Sequence, residues 1–353
     1  MAVIFADPGG EFYFGLGVLG AGIWNAENGV SLVNSAPSGR QAASDGKFYG
    51  FQFNAGSNQT LTKIFAPNYS HLIVGWAFYL SATAWTNNSV IVAFQDAGTN
   101  QCDLRTNASG QVFFTRNGTV IGSASTVPLT AGWNYLEVEI VFATAATGSV
   151  QCWLNGVSIT STSSVQTTTS GNAYANRLIF EGSNSGGVDY MKDVYVLDAT
   201  TGANTTHLGD VTVGVKYPNA AGVNQQWTPN ASTQVSRVQD GITHTGTWPD
   251  GDTTYISDGT AGDISDFAHE TLTLTGTLYS VLHISYVRKD DAGARAFRQV
   301  CLSGATTETN GADISATNTY LYYFDILDQD PNTSAQWTVA NYNAATFGAK
   351  EIT

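Results

Sequence analysis

Short runs of alternating apolar and polar residues recur along the chain, each closed by a cluster of Asn, Gly and Ser. His71 to Leu80, Ser89 to Phe94 and Gln111 to Thr115 are of this kind, and period-two alternation bounded by turn residues predicts strands. Asn117-Gly118 separates Val112-Phe113-Phe114 from Val120-Ile121. A two-residue type I′ turn needs positive φ at both central positions, which Asn-Gly tolerates best, so a hairpin is predicted there. Between Trp133 and Val157, Tyr135, Glu137 and Glu139 alternate with Leu136, Val138 and Ile140. A turn falls at Ala146-Thr147-Gly148, and the return strand ends at Asn155-Gly156. Further strands are predicted at Asp193 to Leu197, Val211 to Tyr217, Thr271 to Leu274, Val281 to Val287, Ala296 to Leu302 and Tyr320 to Leu327. Lys289 to Gly293 reads as a hairpin loop, and Ala340 to Phe347 as the one short helix.

The chain has 353 residues, enough for two hydrophobic cores. Only 12% of residues are charged, while Thr, Ser, Asn and Gly supply most polar positions. The helix formers that coat exposed helices are therefore scarce and all-β is the fold class, as two tandem antiparallel β-sandwiches. The polar loop Ala199 to Thr206 lacks apolar periodicity and divides them, giving domains 1–200 and 209–353. Between Val223 and Gly262 the aromatics Trp227, Trp248 and Tyr255 argue for an ordered, loop-rich stretch.

A net charge of −14 repels nucleic acid and anionic lipid. No Lys or Arg precedes Arg40 and the apolar stretch Phe12 to Trp24 is short, so neither a signal peptide nor membrane insertion is expected. Cys102, Cys152 and Cys301 lack metal or redox spacing and read as reduced core residues.

The run Gly132-Trp133-Asn134-Tyr135-Leu136-Glu137-Val138-Glu139, with Cys152-Trp153-Leu154-Asn155-Gly156, resembles the central hairpin of concanavalin A-like (laminin-G-like) jelly rolls. The opening Phe5-Ala6-Asp7 and the closing Asp193-Val194-Tyr195-Val196-Leu197-Asp198 are similar to the lectin-like domain of tailed-phage virion proteins. Leu208-Gly209-Asp210-Val211, Gln226-Trp227-Thr228-Pro229 and Asp330-Pro331 with Trp337-Thr338 resemble the C-terminal module of the same proteins. The resemblance implies that the first sandwich is a concanavalin A-like jelly roll. It also implies a non-enzymatic virion structural or accessory protein of the tail tip, a fibre or the head surface, made in the host cytoplasm. Its partners would be other virion proteins, and a homo-oligomer is in keeping, with three-fold assembly preferred. The alternative is a carbohydrate-binding adhesin that recognises a host-surface glycan.

Glycan recognition calls for aromatic faces beside amides, and Trp85 next to Asn87 and Asn88 is the candidate, lying in a loop-like stretch. Trp76, Trp133 and Trp153 read as core. Glu137 and Glu139 share a strand face but lack the acid pattern of jelly-roll hydrolases, and read as a solvated pair. No Ser-His-Asp set emerges: His283 reads as outward-facing on its strand, and His244 and His269 as loop residues. Asp250, Asp252, Asp258, Asp263 and Asp266 read as turn formers rather than calcium ligands, so no cofactor or metal is expected. Arg288, Lys289, Arg295 and Arg298 cluster beside Asp290 and Asp291 and read as locally paired.

Overall fold

The computed structural model describes residues 3–16, 22–43, 46–54, 59–81, 86–182, 187–239, 249–304, 306–309 and 313–353. It forms two compact units, Ala2–Gly214 and Val215–Thr353, so that residues 209–214 are counted with the first. The strands of the first unit are β1 (Val3–Asp7), β2 (Ala26–Asn28), β3 (Ser31–Val33), β4 (Gly50–Phe53), β5 (Thr60–Tyr69), β6 (His71–Leu80), β7 (Ser89–Asp96) and β8 (Thr99–Thr106). They continue with β9 (Val112–Arg116), β10 (Thr119–Ile121), β11 (Gly132–Val141), β12 (Gly148–Leu154), β13 (Val157–Val165), β14 (Ala175–Glu181) and β15 (Asp189–Asp198).

Two antiparallel sheets stack as a β-sandwich. Sheet I runs β13-β12-β11-β6-β15-β4-β3, with β1 also on β15; sheet II runs β10-β9-β8-β7-β14-β5-β2. The predicted Asn-Gly turns hold: Asn117 and Gly118 have φ of 49° and 78°, and Asn155 and Gly156 have 50° and 78°. These are the left-handed values that close β9–β10 and β12–β13 without splaying the strands.

Leu136, Val138 and Ile140 pair with Trp76, Val74 and Leu72 and are buried, as are Phe94, Leu104, Phe114 and Phe180 of sheet II. Trp24 packs edge-on to Phe5, Phe51 and Phe180. A buried aromatic side chain stabilises by about 1.5–3 kcal/mol, so this cluster carries much of the core. Asp7 anchors its edge, accepting from Gly9 N and Gly10 N at 2.7 and 2.8 Å, from the Tyr13 hydroxyl at 2.6 Å and from Trp24 Nε1 at 2.9 Å. Burial still pushes its carboxyl above the usual range, against those four donors. Cys102 on β8 and Cys152 on β12 are buried free thiols.

The second unit has β16 (Pro218–Gln225), β17 (Thr228–Pro229), β18 (Ile256–Ser257), β19 (Ile264–His269), β20 (Val281–Val287), β21 (Ala296–Ser303), β22 (Thr306–Thr309), β23 (Ile314–Ser315), β24 (Leu321–Leu327) and β25 (Thr346–Glu351). A six-stranded antiparallel sheet, β16-β19-β25-β21-β22 with β23 on β21, faces the ribbon β20-β24. Val281, Cys301, Leu327, Trp337, Tyr342, Ala345 and Phe347 fill the space between.

Several sequence expectations change here. The stretches 211–217 and 271–274 are not strands. The helix near the C-terminus stops at Ala344, and the chain turns into β25 between β19 and β21. Residues 289–293 do not close a hairpin, because β20 pairs with β24 while β21 pairs with β25. That loop crosses between sheets.

His283 points inward and is buried, and His269 ends β19 rather than lying in a loop. Asp266 is fully buried, taking Val223 N, Asn224 N and Asn224 Nδ2 at 2.9, 2.9 and 2.7 Å. Among the described residues no group of three or more His, Cys, Asp or Glu is placed to hold a metal ion. Arg288 pairs with Asp252, Arg295 with Asp291 and Arg298 with Asp313.

Candidate functional site: the outer faces of the first unit

On sheet I the residues that do not enter the core fall in rows, because directly paired residues project to one face. Trp133 on β11 pairs with Tyr79 on β6, Tyr79 with Tyr190 on β15, and Tyr190 with Gln52 on β4. The three rings are half-buried, with Tyr79 edge-on to Trp133 at 5.3 Å and to Tyr190 at 5.9 Å. Trp133 Nε1 donates to Ser38 O at 3.0 Å, and Gln52 Nε2 donates to Asn54 Oδ1 at 2.6 Å. Trp133 thus lies outside the core. The cue was parity: it shares a strand face with Tyr135, Glu137 and Glu139.

Further along the same face Glu137 is fully buried, which corrects its reading as half of a solvated pair. Its Oε1 accepts from the Tyr195 hydroxyl and from Leu208 N and Gly209 N, both at 2.8 Å, while Oε2 is enclosed without a partner. Gly75 pairs with Glu137 and makes room for the Tyr195 ring, since a Cβ there would lie 2.2 Å from it. Glu139 is half-buried and pairs with His71 at 2.7 Å.

A register shift in β15 between Lys192 and Tyr195 puts Asp193 at φ 51° on the outer side. There Asp193 takes Arg40 Nε at 2.8 Å and Val213 N at 3.1 Å. Arg40 also donates to Asp210 Oδ1 and Val211 O, both at 2.5 Å, and lies over the Tyr135 ring. The His207 ring stacks on Trp153 at 4.3 Å. Residues 207–213 therefore form a strap across the middle of the face, leaving the aromatic row at its end. Burial raises the Asp193 carboxyl and lowers the Lys192 ammonium beside it.

The outer face of sheet II is polar. Asp103 on β8 is fully buried and accepts from the Thr115 hydroxyl, from Arg105 Nε and Nη2 at 2.8 Å each, and from Asn100 Nδ2 at 2.5 Å. On the facing side of β14, Glu181 is pushed up to about 7, chiefly by burial and then by Asp103. Arg177 shares that strand face, two alternations away.

Of the residues proposed for glycan binding, Trp85 lies outside the described residues, as do His244 and Trp248. Asn87 and Asn88 form an exposed turn before β7, with Asn88 at φ 66° and its N–H donating to Thr106 O at 2.7 Å. Neither amide is brought to the aromatic row.

No family model and no curated protein matches the sequence. Solved structures similar to it include the endo-β-1,4-glucuronan lyase of the fungus Trichoderma reesei, at 13% identity over 55% of this chain and 95% of that one, with a TM-score of 0.40. The alginate lyase Aly36B is similar at 14% identity over 46% of this chain and 84% of its own, with a TM-score of 0.31. Cellulose induced protein, Cip1, is similar at 13% identity over 53% and 89%, with a TM-score of 0.36. These likenesses are of fold, and the fold is an antiparallel β-sandwich of jelly-roll type. They correct the expectation that the chain is not an enzyme: lyases stand among the structures it resembles, so a jelly roll of this build is no ground for excluding an active site.

Proposed function

We propose that the first unit recognises saccharides, with Trp133, Tyr79 and Tyr190 as its stacking platform, and that it does so as an exposed component of a tailed-phage particle. The observation that carries the saccharide reading is the row of three half-buried rings set across neighbouring strands and continued by the Gln52 amide. Sugar C–H faces pack against aromatic rings while amides take the hydroxyls, and a rigid sheet holds such groups in register. The particle setting is supported by the landmark resemblance of both halves of the chain to virion proteins.

A glycan array probed with the purified chain and with Trp133→Ala tests the first part. Every responsive neutral glycan should lose at least tenfold in signal while the thermal transition of the variant stays in place. A glycan profile unchanged by the substitution would overturn the platform. For the second part, mass spectrometry of purified phage particles should find the chain as a stoichiometric component, and its absence from them would refute that setting.

A further inference from the structure

Sheet II carries a second row of polar side chains on its outer face. Arg177 on β14 pairs with Gln95 on β7, and Gln95 pairs with Asn100 on β8, so the three side chains share the outer face. Two of their atoms, Arg177 Nε and Asn100 Oδ1, are enclosed without a hydrogen-bond partner among the described residues. Buried polar atoms are normally satisfied, so two orphans in one row call for an explanation.

Two other guanidiniums of this unit are answered by carboxylates, Arg40 by Asp193 and Asp210, and Arg105 by Asp103. Arg177 has no such partner among the described residues. Asp103 is saturated by Arg105, Thr115 and Asn100, and by engaging Asn100 Nδ2 it leaves Oδ1 as the free end of that amide. Glu181 lies four residues along β14 on the same face, about 13 Å away at about 3.3 Å per residue. A carboxyl pushed up to about 7 both donates and accepts hydrogen bonds near neutral pH.

We propose that the Arg177–Gln95–Asn100 row is a subsite for a carboxylate-bearing sugar, Arg177 taking the carboxylate and the two amides taking hydroxyls. An unanswered guanidinium selects a planar anion, because its fork of donors matches both carboxylate oxygens. Amides beside it favour a hydroxyl-rich scaffold over a bare anion. The proposal rests on the saccharide reading of this unit but uses the sheet opposite Trp133, so the two can fail separately.

Calorimetric titration of the full chain with oligogalacturonate and with its methyl ester tests it, since esterification removes the carboxylate charge and leaves the ring hydroxyls in place. The acid form should bind and the ester should bind at least tenfold more weakly. Arg177→Gln should lose at least tenfold for the acid form, and Arg177→Lys should recover part of it. Because Arg177 Nε has no hydrogen-bond partner among the described residues, both Arg177 variants should keep the wild-type thermal transition. Equal affinity for acid and ester, undiminished binding by Arg177→Gln, or no binding at all would overturn the subsite. So would poly-glutamate binding with the same Arg177 dependence, which would make the ligand an acidic peptide. If neutral glycans bind through Trp133 and oligogalacturonate is ignored, this proposal falls while the platform stands.

Discussion

Single acidic residues do most to distinguish this molecule from the solvated surface its composition suggests. Asp7, Asp103, Glu137, Asp193 and Asp266 are all buried, and each holds backbone or side-chain donors from elsewhere in its unit. Glu181 differs in having little to hold. Its folded carboxyl titrates near 7 against an ordinary 4.5, so between those values the folded chain keeps a proton that the unfolded chain has lost. Stability is therefore greatest at low pH for this group and declines as pH rises from about 4.5 to about 7. The full shift would be worth a few kcal/mol; discounted for partial exposure, about 1–3 kcal/mol is expected. Glu181→Gln should flatten that part of the profile. Urea unfolding of both proteins at pH values from 4.5 to 8 gives the difference directly, and parallel profiles would reject it. Asp7 and Asp193 slope the same way and cancel in that difference.

At the scale of elements, what was legible in the sequence is what is local. The hairpins at Asn117-Gly118 and Asn155-Gly156 could be read because two adjacent residues determine the turn. Sheet I's central strands could be read because Leu136, Val138 and Ile140 alternate with polar neighbours. The strand β19 was missed because its core-facing pattern is interrupted by the buried Ser265 and Asp266, and β25 because Gly, Ala and Lys dilute its strand signal. The strap was illegible for another reason. Its amides at 208 and 209 are bound by Glu137, 71 and 72 residues earlier, and no local pattern records a partner that distant. Stretch 211–217 consequently looked like a strand, although the N–H of Val213 goes to a carboxylate instead of a neighbouring strand. Of the candidate site, the aromatic strand was in view but its polarity was misjudged, while Arg177 and Glu181 gave no signal beyond sharing parity on β14. Glu137→Leu should leave the Tyr195 hydroxyl and two strap amides without an acceptor, costing about 3–5 kcal/mol, whereas Glu137→Gln keeps an acceptor and should cost about 1–2 kcal/mol. Hydrogen exchange at Leu208 and Gly209 reads the strap itself. Unchanged protection of those amides in Glu137→Leu would mean that the carboxylate does not hold it.

For the molecule as a whole, the two units should answer acid in opposite directions, because the second sets two depressed imidazoles against one raised carboxyl, Glu351 at about 7, whereas the first has raised carboxyls. The second unit encloses two imidazoles against one aromatic ring: His269 and His283 lie 5.4 and 5.7 Å from Phe347. Burial holds His269 down at about 4 and His283 at about 3, the latter also through the nearby His269, and His283 Nδ1 has no partner. A depressed histidine contributes stability that is present above its unfolded value, near 6.5, and is lost as pH falls toward the folded one. At pH 5 each of the two neutral imidazoles has then forfeited about 2 kcal/mol relative to pH 7, a figure that depends only on the unfolded titration. Over the same interval Glu181 makes the first unit more stable. Calorimetry from pH 7 to pH 5 should accordingly show the melting of 215–353 moving down while that of the first unit holds or rises. His283→Leu, which removes one imidazole from an apolar setting while Glu351 still offsets the other, should at least halve the downward movement. Two transitions that fall together, or a second-unit transition indifferent to pH in this range, would show that the buried histidines do not govern its response to acid.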